Sequence, residues 1–276
     1  MKRFGLIGHP IAHSLSPALF KAGFDGRYPY DLIETDDFEE AYERFMKDYD
    51  GINVTAPFKE LAVRKADILS EECRRIGAAN ILIKTPDGIK AHNSDYLGVR
   101  QWLSEVADGL NISPTILIVG LGGAGKAAAE AARSLGFRTI LMNRTRFSED
   151  IRPLEEFCSC FREADIIIYN IPMAIPQLAE LTDDDFRGIS AGNYASMMEV
   201  CRKASTENAG TFRPKVILEA NYKNPSFDKP LTDRMIKSNP NARSVSGETW
   251  LLYQALTGYE IFTGEKPDLA KMSEVI

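Results

Sequence analysis

An apolar run leads directly into a glycine-rich turn near the middle of this chain. Ile116–Val119 is followed by Gly120-Leu121-Gly122-Gly123-Ala124-Gly125, which fits the pattern G-x-G-x-x-G. An alanine-rich helical segment, Ala127–Leu135, and a second apolar run, Thr139–Met142, come next. Glycines at this spacing allow a tight turn and a close approach of the backbone to a pyrophosphate, toward which the helix directs its first N–H groups. The succession of strand, turn, helix and strand therefore predicts dinucleotide binding, with a merely structural turn as the alternative.

The residues after the second strand indicate which dinucleotide is bound. An NAD enzyme typically places an acidic residue there to accept a hydrogen bond from the ribose 2′-hydroxyl. This chain has Asn143-Arg144-Thr145-Arg146 instead. A guanidinium suits a 2′-phosphate, so the pattern favours NADP, and a solvated basic turn is the alternative. The cofactor-binding residues predicted from these two motifs are Gly120, Gly122, Gly123, Ala124, Gly125, Asn143, Arg144 and Thr145.

Short β-branched runs alternate with helical patterns along the rest of the chain. One helical stripe consists of Phe38, Ala41, Tyr42, Phe45 and Met46, at i, i+3, i+4, i+7 and i+8. Alternation of this kind predicts an α/β protein with parallel sheets and crossover helices. The candidate strands are Phe4–Ile7, Tyr30–Ile33, Gly51–Val54, Ile81–Lys84, Ile89–His92, Ile116–Val119, Thr139–Met142, Asp165–Tyr169 and Val216–Leu218.

The strand pattern divides the chain into two predicted units. Residues 1–100 contain one series of strands and helices, and a second series starts at Ile116. A helix around Leu97–Leu110 is the predicted connection between them. Residues 187–214 have little apolar periodicity and are predicted to be an irregular or partly helical insertion.

Composition excludes several classes of function. The 276 residues are 44% hydrophobic and 26% charged, as in ordinary globular enzymes, and the net charge of −6 argues against nucleic acid or an anionic membrane as the main partner. The four cysteines lack the spacing of a zinc site, so we expect reduced thiols and no metal. His9, Pro10 and His13 interrupt the apolar N-terminus, and no run reaches the length of a membrane span. We expect a soluble, cytoplasmic protein.

Polar residues recur at the ends of the predicted strands in the first hundred residues. Ser14 and Ser16 follow the first strand, and Thr55 and Lys59 follow the third. Asn80 follows a Gly-Ala-Ala turn, and Asn93 and Asp95 follow the predicted strand that ends at His92. Taken singly, the serines fit a helix cap, Lys59 a solvated side chain, and the others turn residues. Their recurrence favours a binding site, because ligands of open α/β sheets bind at the carboxyl ends of the strands.

In order along the chain, these motifs resemble those of the shikimate dehydrogenase family. Ser14-Leu15-Ser16-Pro17 is similar to the family's S-x-S-P turn, and Asn53 to Lys59 is similar to N-V-T-x-P-x-K. Gly77 to Asn80 resembles G-A-x-N, and His92 to Asp95 resembles H-N-T-D. The fifth match is the glycine loop together with Asn143-Arg144-Thr145, which is similar to the family's N-R-T. The sixth is Gly247 to Ala255, which resembles G-x-x-M-L-x-x-Q-A. Phe20 and Trp250 depart from the family, which has histidine and methionine there.

The resemblance implies reversible, NADP-linked reduction of 3-dehydroshikimate to shikimate, a step of aromatic amino-acid biosynthesis. Lys59 is implied as the general acid and base, with Asp95 as its ion-pair partner. A substrate domain of residues 1–100 plus 246–276 and a Rossmann NADP domain of residues 101–245 are implied, with the site in a cleft between them. The other implied site residues are Ser14, Ser16 and Thr55 at the carboxylate, Asn80, Asn93 and Gln254 at ring hydroxyls, Tyr222 as a lid, and Gly247 and Trp250 near the cofactor.

The sequence leaves some alternatives open. A relative that oxidises quinate or accepts NAD has the same motifs, and a dinucleotide-sensing protein without catalysis could share the fold. Retention of both Lys59 and Asp95 argues against the second alternative, since binding alone does not require the pair. The expected partner is a small-molecule substrate, and the chain is expected to be a monomer or a homodimer.

Overall fold

The computed structural model describes residues 1–110, 112–188 and 212–276 of the protein. Most of the insertion predicted over residues 187–214, with Cys201, lies outside the described residues. The chain divides into two compact units. The first consists of Met1–Trp102 with Trp250–Ile276, and the second consists of Leu103–Thr249.

Helices and strands alternate throughout the described residues. The strands are β1 (Phe4–Gly8), β2 (Tyr30–Glu34), β3 (Gly51–Val54), β4 (Ile68–Leu69), β5 (Ile81–Thr85), β6 (Gly88–His92), β7 (Thr115–Val119), β8 (Arg138–Met142), β9 (Ile151–Arg152), β10 (Ile166–Tyr169), β11 (Lys215–Glu219) and β12 (Ala242–Ser246). The α-helices are α1 (Ser16–Gly23), α2 (Phe38–Asp48), α3 (Lys59–Lys65), α4 (Glu71–Ile76), α5 (Ser94–Leu110), α6 (Gly123–Ser134), α7 (Phe157–Glu163), α8 (Asp183–Arg187), α9 (Lys229–Ser238), α10 (Gly247–Thr263) and α11 (Leu269–Ser273). Two short 3-10 helices cover Leu154–Glu156 and Pro176–Glu180.

All nine predicted strands are present, within one or two residues at each end. Three strands were not predicted, namely β4, β9 and β12. Strands β4 and β9 have two residues each, too few to show any periodicity. Strand β12 lies at the edge of its sheet and is mostly exposed, so it lacks an apolar pattern.

Helix α2 shows how local sequence produces the predicted stripe. Asp37 caps the helix by accepting hydrogen bonds from the backbone N–H groups of Glu39 and Glu40. Three residues of the stripe are buried in the core of the first unit, and Tyr42 packs against that core. The prediction was wrong for Met46, which is 44% exposed because it lies at the margin of the apolar face.

The sheet of the first unit has the strand order β2-β1-β3-β5-β6-β4. Strands β2, β1 and β3 are parallel to each other, but β5 pairs antiparallel with both β3 and β6. The prediction of parallel sheets was therefore wrong for this unit, which has a mixed sheet. The reason is the short connection between β5 and β6, since two residues can close a hairpin but cannot form a parallel crossover.

The sheet of the second unit is parallel throughout, in the order β12-β11-β10-β7-β8-β9. Read from its other edge, this is the doubly wound order 3-2-1-4-5-6 of dinucleotide-binding folds. The direction of winding reverses between β7 and β10, where ligands of this architecture bind. The structure thus confirms the predicted α/β class, with a doubly wound second unit.

Candidate active site

Polar residues of the first unit converge on one edge of its sheet. Strands β1 and β3 are parallel, so the loops after them leave the sheet on the same side. Asn80 precedes β5 rather than following a strand, but β5 is antiparallel to β3, and its first residue, Ile81, pairs with Asn53. Strand β6 runs back beside β5 and ends at His92, opposite Ile81. The hairpin therefore places Asn80, before β5, and Asn93, after β6, on the side of the sheet where β1 and β3 end.

Lys59 and Asp95 form an ion pair at this edge. Lys59 Nζ donates to Asp95 Oδ2 over 2.6 Å, and the two side chains are 19% and 14% exposed. Lys59 is the first residue of α3, and Asp95 lies in the first turn of α5, a position favourable for an anion. An ammonium group has three N–H donors, so Lys59 can engage the carboxylate and still donate to a ligand. The structure brings these two residues together as the ion pair that was predicted.

A hydrogen-bonded chain connects Asn80 to Gln254 through Ser94. Asn80 Nδ2 donates to Ser94 Oγ over 3.0 Å, and the Ser94 backbone N–H donates to Asn80 Oδ1 over 2.6 Å. Ser94 Oγ in turn donates to Gln254 Oε1 over 3.0 Å. The Gln254 side-chain amide donates to the carbonyl of Leu251 and keeps a second N–H, as Asn80 does. Both amides can therefore still donate to a ligand.

Asn93 has a different environment from the other predicted site residues. Its side chain is fully buried, donates to the carbonyl of Ala78 over 2.9 Å, and accepts from the backbone N–H of Tyr96 over 3.0 Å. It thus caps the start of α5. Its backbone N–H donates to Glu72 Oε1 over 3.4 Å, and His92 Nδ1 lies 3.6 Å from the same oxygen. Burial acts to raise the pKa of Glu72, but hydrogen bonds from His92, from Ser70 and from backbone N–H groups that include that of Asn93 outweigh it and lower the pKa to about 2.

The two serines lie together after β1. Ser14 Oγ is 3.1 Å from Ser16 Oγ and accepts a hydrogen bond from the Ser16 backbone N–H over 3.2 Å. The residue at the N-cap position of α1 is Leu15, without a side-chain cap. Thr55 is half-buried directly after β3. A Cβ on Gly8 would lie only 2.3 Å from the Thr55 methyl carbon, closer than two carbon atoms can approach. Only glycine at position 8 therefore lets the two loops meet.

The glycine-rich loop of the second unit lies between β7 and α6, at the reversal of the sheet. Gly120 has φ of +88°, a conformation that favours glycine. A Cβ on Gly125 would lie 1.9 Å from the Gly120 carbonyl oxygen, so the turn requires glycine there too. A Cβ on Gly122 would meet no atom within 4 Å, which leaves the start of α6 open on that side. The first N–H groups of this 12-residue helix have no partner within the helix and suit a phosphate.

The residues after β8 lie beside the glycine loop and carry donors that would suit NADP. Asn143 Oδ1 accepts from the Leu121 backbone N–H over 3.1 Å, and Asn143 Nδ2 donates to the carbonyl of Thr145 over 2.9 Å. Asn143 thus ties the loop after β8 to the glycine loop. Arg144 and Thr145 are exposed beside it, and no acidic residue occupies the end of β8. This donor set suits a phosphate on the ribose better than a hydroxyl.

Three predicted site residues lie after β11 and in α10. Tyr222 is half-buried in the second unit, and burial, with the nearby Glu248 carboxylate, raises its pKa. Gly247 begins α10, where a Cβ would lie 2.5 Å from the carbonyl oxygens of Glu219 and Ala220. Trp250 is 5% exposed and belongs to the first unit, where its indole Nε1 donates to the backbone carbonyl of Asp95 over 3.0 Å.

The described residues were compared with two other kinds of feature, a membrane-spanning helix and a metal site. Among the described residues, no helix is both long and apolar enough to span a membrane. In the same parts of the chain, no group of three or more histidine, cysteine or acidic side chains is arranged to hold a metal ion.

Comparison with known proteins finds similarity to shikimate dehydrogenases. Residues 6–82 match the family model for the shikimate dehydrogenase substrate binding domain. The chain is 29% identical to shikimate dehydrogenase (NADP(+)) of Pyrococcus furiosus, over 99% of this chain and 94% of that protein. Nearly the whole chain is thus similar to a shikimate dehydrogenase, and its residues 6–82 match that family's substrate binding domain.

Other similar proteins differ from this chain in size and in name. The chain is 31% identical over its whole length to the pentafunctional AROM polypeptide of Eremothecium gossypii, of which it spans 18%. A solved shikimate 5-dehydrogenase of Thermus thermophilus, in complex with NADP(H) and shikimate, is 26% identical with a TM-score of 0.73, over 100% of this chain and 98% of that one. These names agree with the predicted enzyme class, activity and cofactor.

A related fold also occurs in a protein with another substrate. Quinate dehydrogenase from Corynebacterium glutamicum, in complex with NAD, has a TM-score of 0.75 at 20% identity, over 99% of this chain and 98% of that chain. At this identity the similarity concerns the fold alone.

Sequence reasoning missed two residues that organise the edge of the first sheet. Ser94 stood inside the H-N-T-D-like motif but was not assigned a role, although it joins Asn80 to Gln254. Glu72 lies 21 residues before Asn93, and no local pattern connects the two. A serine at the first position of a helix would have been one signal for Ser94, whereas Glu72 required the fold.

Proposed function

We propose that this protein is a shikimate dehydrogenase that catalyses the reversible, NADP-linked reduction of 3-dehydroshikimate to shikimate. The observation that supports the proposal most strongly is the Lys59–Asp95 ion pair, with a 2.6 Å hydrogen bond, at the edge where the strands of the first unit end. NADPH, when bound, supplies the hydride to the carbonyl carbon of the substrate. The side chains of the protein orient the substrate and move the proton.

Lys59 is the acid and base in this proposal. It donates a proton to the ketone oxygen in the reduction and accepts the hydroxyl proton in the oxidation. Asp95 holds the ammonium group in place through the ion pair, and both side chains keep enough exposure to meet a small ligand. A positioned acid or base of this kind contributes about 10²- to 10⁴-fold to the rate.

The remaining polar groups hold the substrate ring. Ser14 and Ser16 have hydroxyls 3.1 Å apart, and with Thr55 they bind the carboxylate. Asn80 and Gln254 each keep one N–H, which they donate to ring hydroxyls. Asn93, which the resemblance assigned to the same task, is fully buried, and its side-chain oxygen accepts from the backbone N–H of Tyr96, so we now assign it to the capping of α5.

The second unit holds the cofactor in this proposal. The open side of Gly122 and the first turn of α6 receive the pyrophosphate, and Arg144 binds the 2′-phosphate. Gly123, Ala124 and Gly125 supply backbone to the same turn. Tyr222 keeps its assignment as a lid residue, and Gly247 keeps its assignment near the cofactor. Cytoplasmic location, and a monomeric or homodimeric state, stay predictions from the sequence.

One assay tests the proposed activity. Initial rates of oxidation are measured for shikimate and for quinate, each with NADP and with NAD. We expect the highest kcat/KM for shikimate with NADP. Measurable binding of NADP without turnover of shikimate would instead identify a protein that binds the dinucleotide and does not catalyse.

A single variant tests the cofactor assignment. Arg144→Ala removes the guanidinium proposed to bind the 2′-phosphate, so the KM for NADP should rise far more than the KM for NAD. Arg243→Ala is the matched control, because Arg243 is exposed on β12, at the opposite edge of the sheet from β8. Equal effects of Arg144→Ala on the two cofactors would refute the assignment.

A further inference from the structure

Helix α10 makes two side-chain hydrogen bonds to the first turn of α5. Trp250 and Gln254 lie one turn apart on α10. Gln254 Oε1 accepts from the Ser94 hydroxyl over 3.0 Å, and Trp250 Nε1 donates to the Asp95 backbone carbonyl over 3.0 Å. Two consecutive residues of α5 are thus tied to one side of α10, and the second of them is the partner of Lys59.

The two helices also touch backbone to backbone one turn later. A Cβ on Gly98 would lie 2.5 Å from the backbone nitrogen of Gln254 and 2.8 Å from its Cα. Any larger residue at position 98 would push α5 away from α10. The start of α5 is therefore fixed by direct contact at Gly98 as well as by the hydrogen bonds of Ser94 and Asp95.

The hydrogen bond from Trp250 acts on the backbone of Asp95, not on its carboxylate. Trp250 is 5% exposed, so water competes little for its N–H group. The carboxylate projects from the same residue toward Lys59, and its 2.6 Å hydrogen bond leaves little tolerance for a shift of the backbone. An indole N–H that holds the Asp95 carbonyl therefore also sets the direction in which the carboxylate points.

We propose that Trp250 is a positioning residue that aims the Asp95 carboxylate at Lys59 through its hydrogen bond to the Asp95 carbonyl. This inference rests on the proposed function, in which Lys59 and Asp95 serve proton transfer. It replaces the assignment of Trp250 to the cofactor, which came from the position of a methionine in the family. A methionine cannot donate this hydrogen bond, so the device is particular to chains with tryptophan there.

The first experiment compares two tryptophan variants. Trp250→Phe keeps an aromatic ring and removes the N–H donor, and Trp102→Phe is the control, since Trp102 is 4% exposed on α5, two turns after Asp95. We expect Trp250→Phe to lower kcat about 3- to 10-fold, the effect of one net hydrogen bond, with the KM for NADP unchanged. Trp102→Phe should leave kcat at the wild-type value.

A double-mutant cycle with Asp95→Asn then tests whether Trp250 acts through Asp95. Asp95→Asn keeps the backbone carbonyl and removes the charge that Trp250 is proposed to aim. In that background Trp250→Phe should cause no further loss of kcat. Independent effects, in which the two losses multiply, would mean that Trp250 contributes in another way. A raised KM for NADP with unchanged kcat would restore the cofactor assignment.

Two further measurements keep the outcomes distinct. If Trp250→Phe does not fold, benzothienylalanine incorporated in the Trp102→Phe background replaces only the indole N–H of Trp250 by sulfur, and the same loss of kcat is expected. Wild-type kcat in that protein would overturn the inference. Absence of shikimate turnover in the wild-type protein would overturn the proposed function itself, whereas normal turnover in wild type and in Trp250→Phe would overturn only the role of Trp250.

Discussion

Two lysines of this protein are largely or wholly removed from solvent, and their surroundings differ. Lys59, in the first unit, has its ammonium group paired with one carboxylate, that of Asp95, and its side chain is 19% exposed. Lys215, in the second unit, is fully buried in β11. Its Nζ donates to the backbone carbonyls of Phe161 and Arg162 over 2.7 and 2.8 Å, and also to that of Ala164.

The partners explain what each lysine can do. The carbonyls around Lys215 belong to the last turn of α7 and the residue after it, where a helix has no partners of its own for its carbonyl groups. Lys215 therefore closes the end of a helix, because its N–H donors are directed at three carbonyl acceptors. Among the described residues, the Lys59 ammonium group donates a hydrogen bond to the Asp95 carboxylate. Because an ammonium group has three N–H donors, others remain for a ligand. Lys59 suits proton transfer because its hydrogen bonds are incomplete and its side chain is still partly exposed, whereas Lys215 meets neither condition.

The largest expected effect is the loss of turnover when Lys59 is replaced. Lys59→Ala should fold normally and lower kcat by about 10²- to 10⁴-fold, because it removes the acid and base. The measurement is steady-state turnover of shikimate with NADP, together with the midpoint of urea unfolding. A variant that retained most of the wild-type kcat would exclude the proposed role of Lys59.

The next effect concerns stability at Lys215. Lys215→Met keeps most of the volume but leaves the carbonyls at the end of α7 without donors, so we expect the free energy of unfolding to fall by about 2–3 kcal/mol. The kcat of the folded protein should stay unchanged. Urea unfolding followed by circular dichroism measures the loss, and an unaltered urea midpoint would show that the three hydrogen bonds do not stabilise the fold.

A smaller effect is the pH dependence of that loss. Burial lowers the pKa of Lys215 to about 7, although the nearby Asp165 carboxylate acts to raise it. An unfolded lysine holds its proton until about pH 10. Between these values unfolding takes up a proton, so the contribution of Lys215 to stability rises with pH, by on the order of 1 kcal/mol per pH unit. The difference between wild type and Lys215→Met, measured at pH 7, 8 and 9, should therefore increase.

The smallest expected effect comes from a lysine at the surface. Lys229 is paired with Asp233 over 2.9 Å at the i, i+4 spacing of α9, and its side chain is 84% exposed. Such pairs contribute little because water screens both charges. Lys229→Ala should therefore leave both kcat and the urea midpoint within experimental error. A clear loss in either would mean that exposure does not separate the three lysines as proposed.

Much of the fold follows from local patterns in the sequence. All nine predicted strands exist because alternation and β-branched runs are properties of neighbouring residues. The glycine loop was predictable for the same reason, since its backbone conformation at Gly120 requires glycine. Strand β12 was not predictable, because an exposed edge strand has no apolar side to mark it.

The candidate site was predictable in membership but less so in function. Lys59 and Asp95 were singled out from motifs, and they form the expected pair. Asn93 came from the same motif, yet the fold uses its side chain to cap α5. Trp250 was assigned to the cofactor by its position in a motif, and its indole N–H donates to the backbone of the first unit. A motif identifies which residues occur together, but it does not say which of their atoms are already hydrogen-bonded.

Local patterns in the sequence specified nine of the twelve described strands, the glycine loop and the set of polar residues near the strand ends. Each of these depends on side chains or backbone preferences within a few residues. Tertiary structure alone decided the partners, because Lys59 and Asp95 are 36 residues apart, and Trp250 and Asp95 are 155 residues apart. The reversed direction of β5 brings Asn80 to the edge shared with Lys59, and strand direction is fixed by pairing across the sheet. Contacts between distant segments, which no local pattern encodes, leave Lys59 partly exposed beside one carboxylate and surround the Lys215 ammonium group with backbone carbonyls.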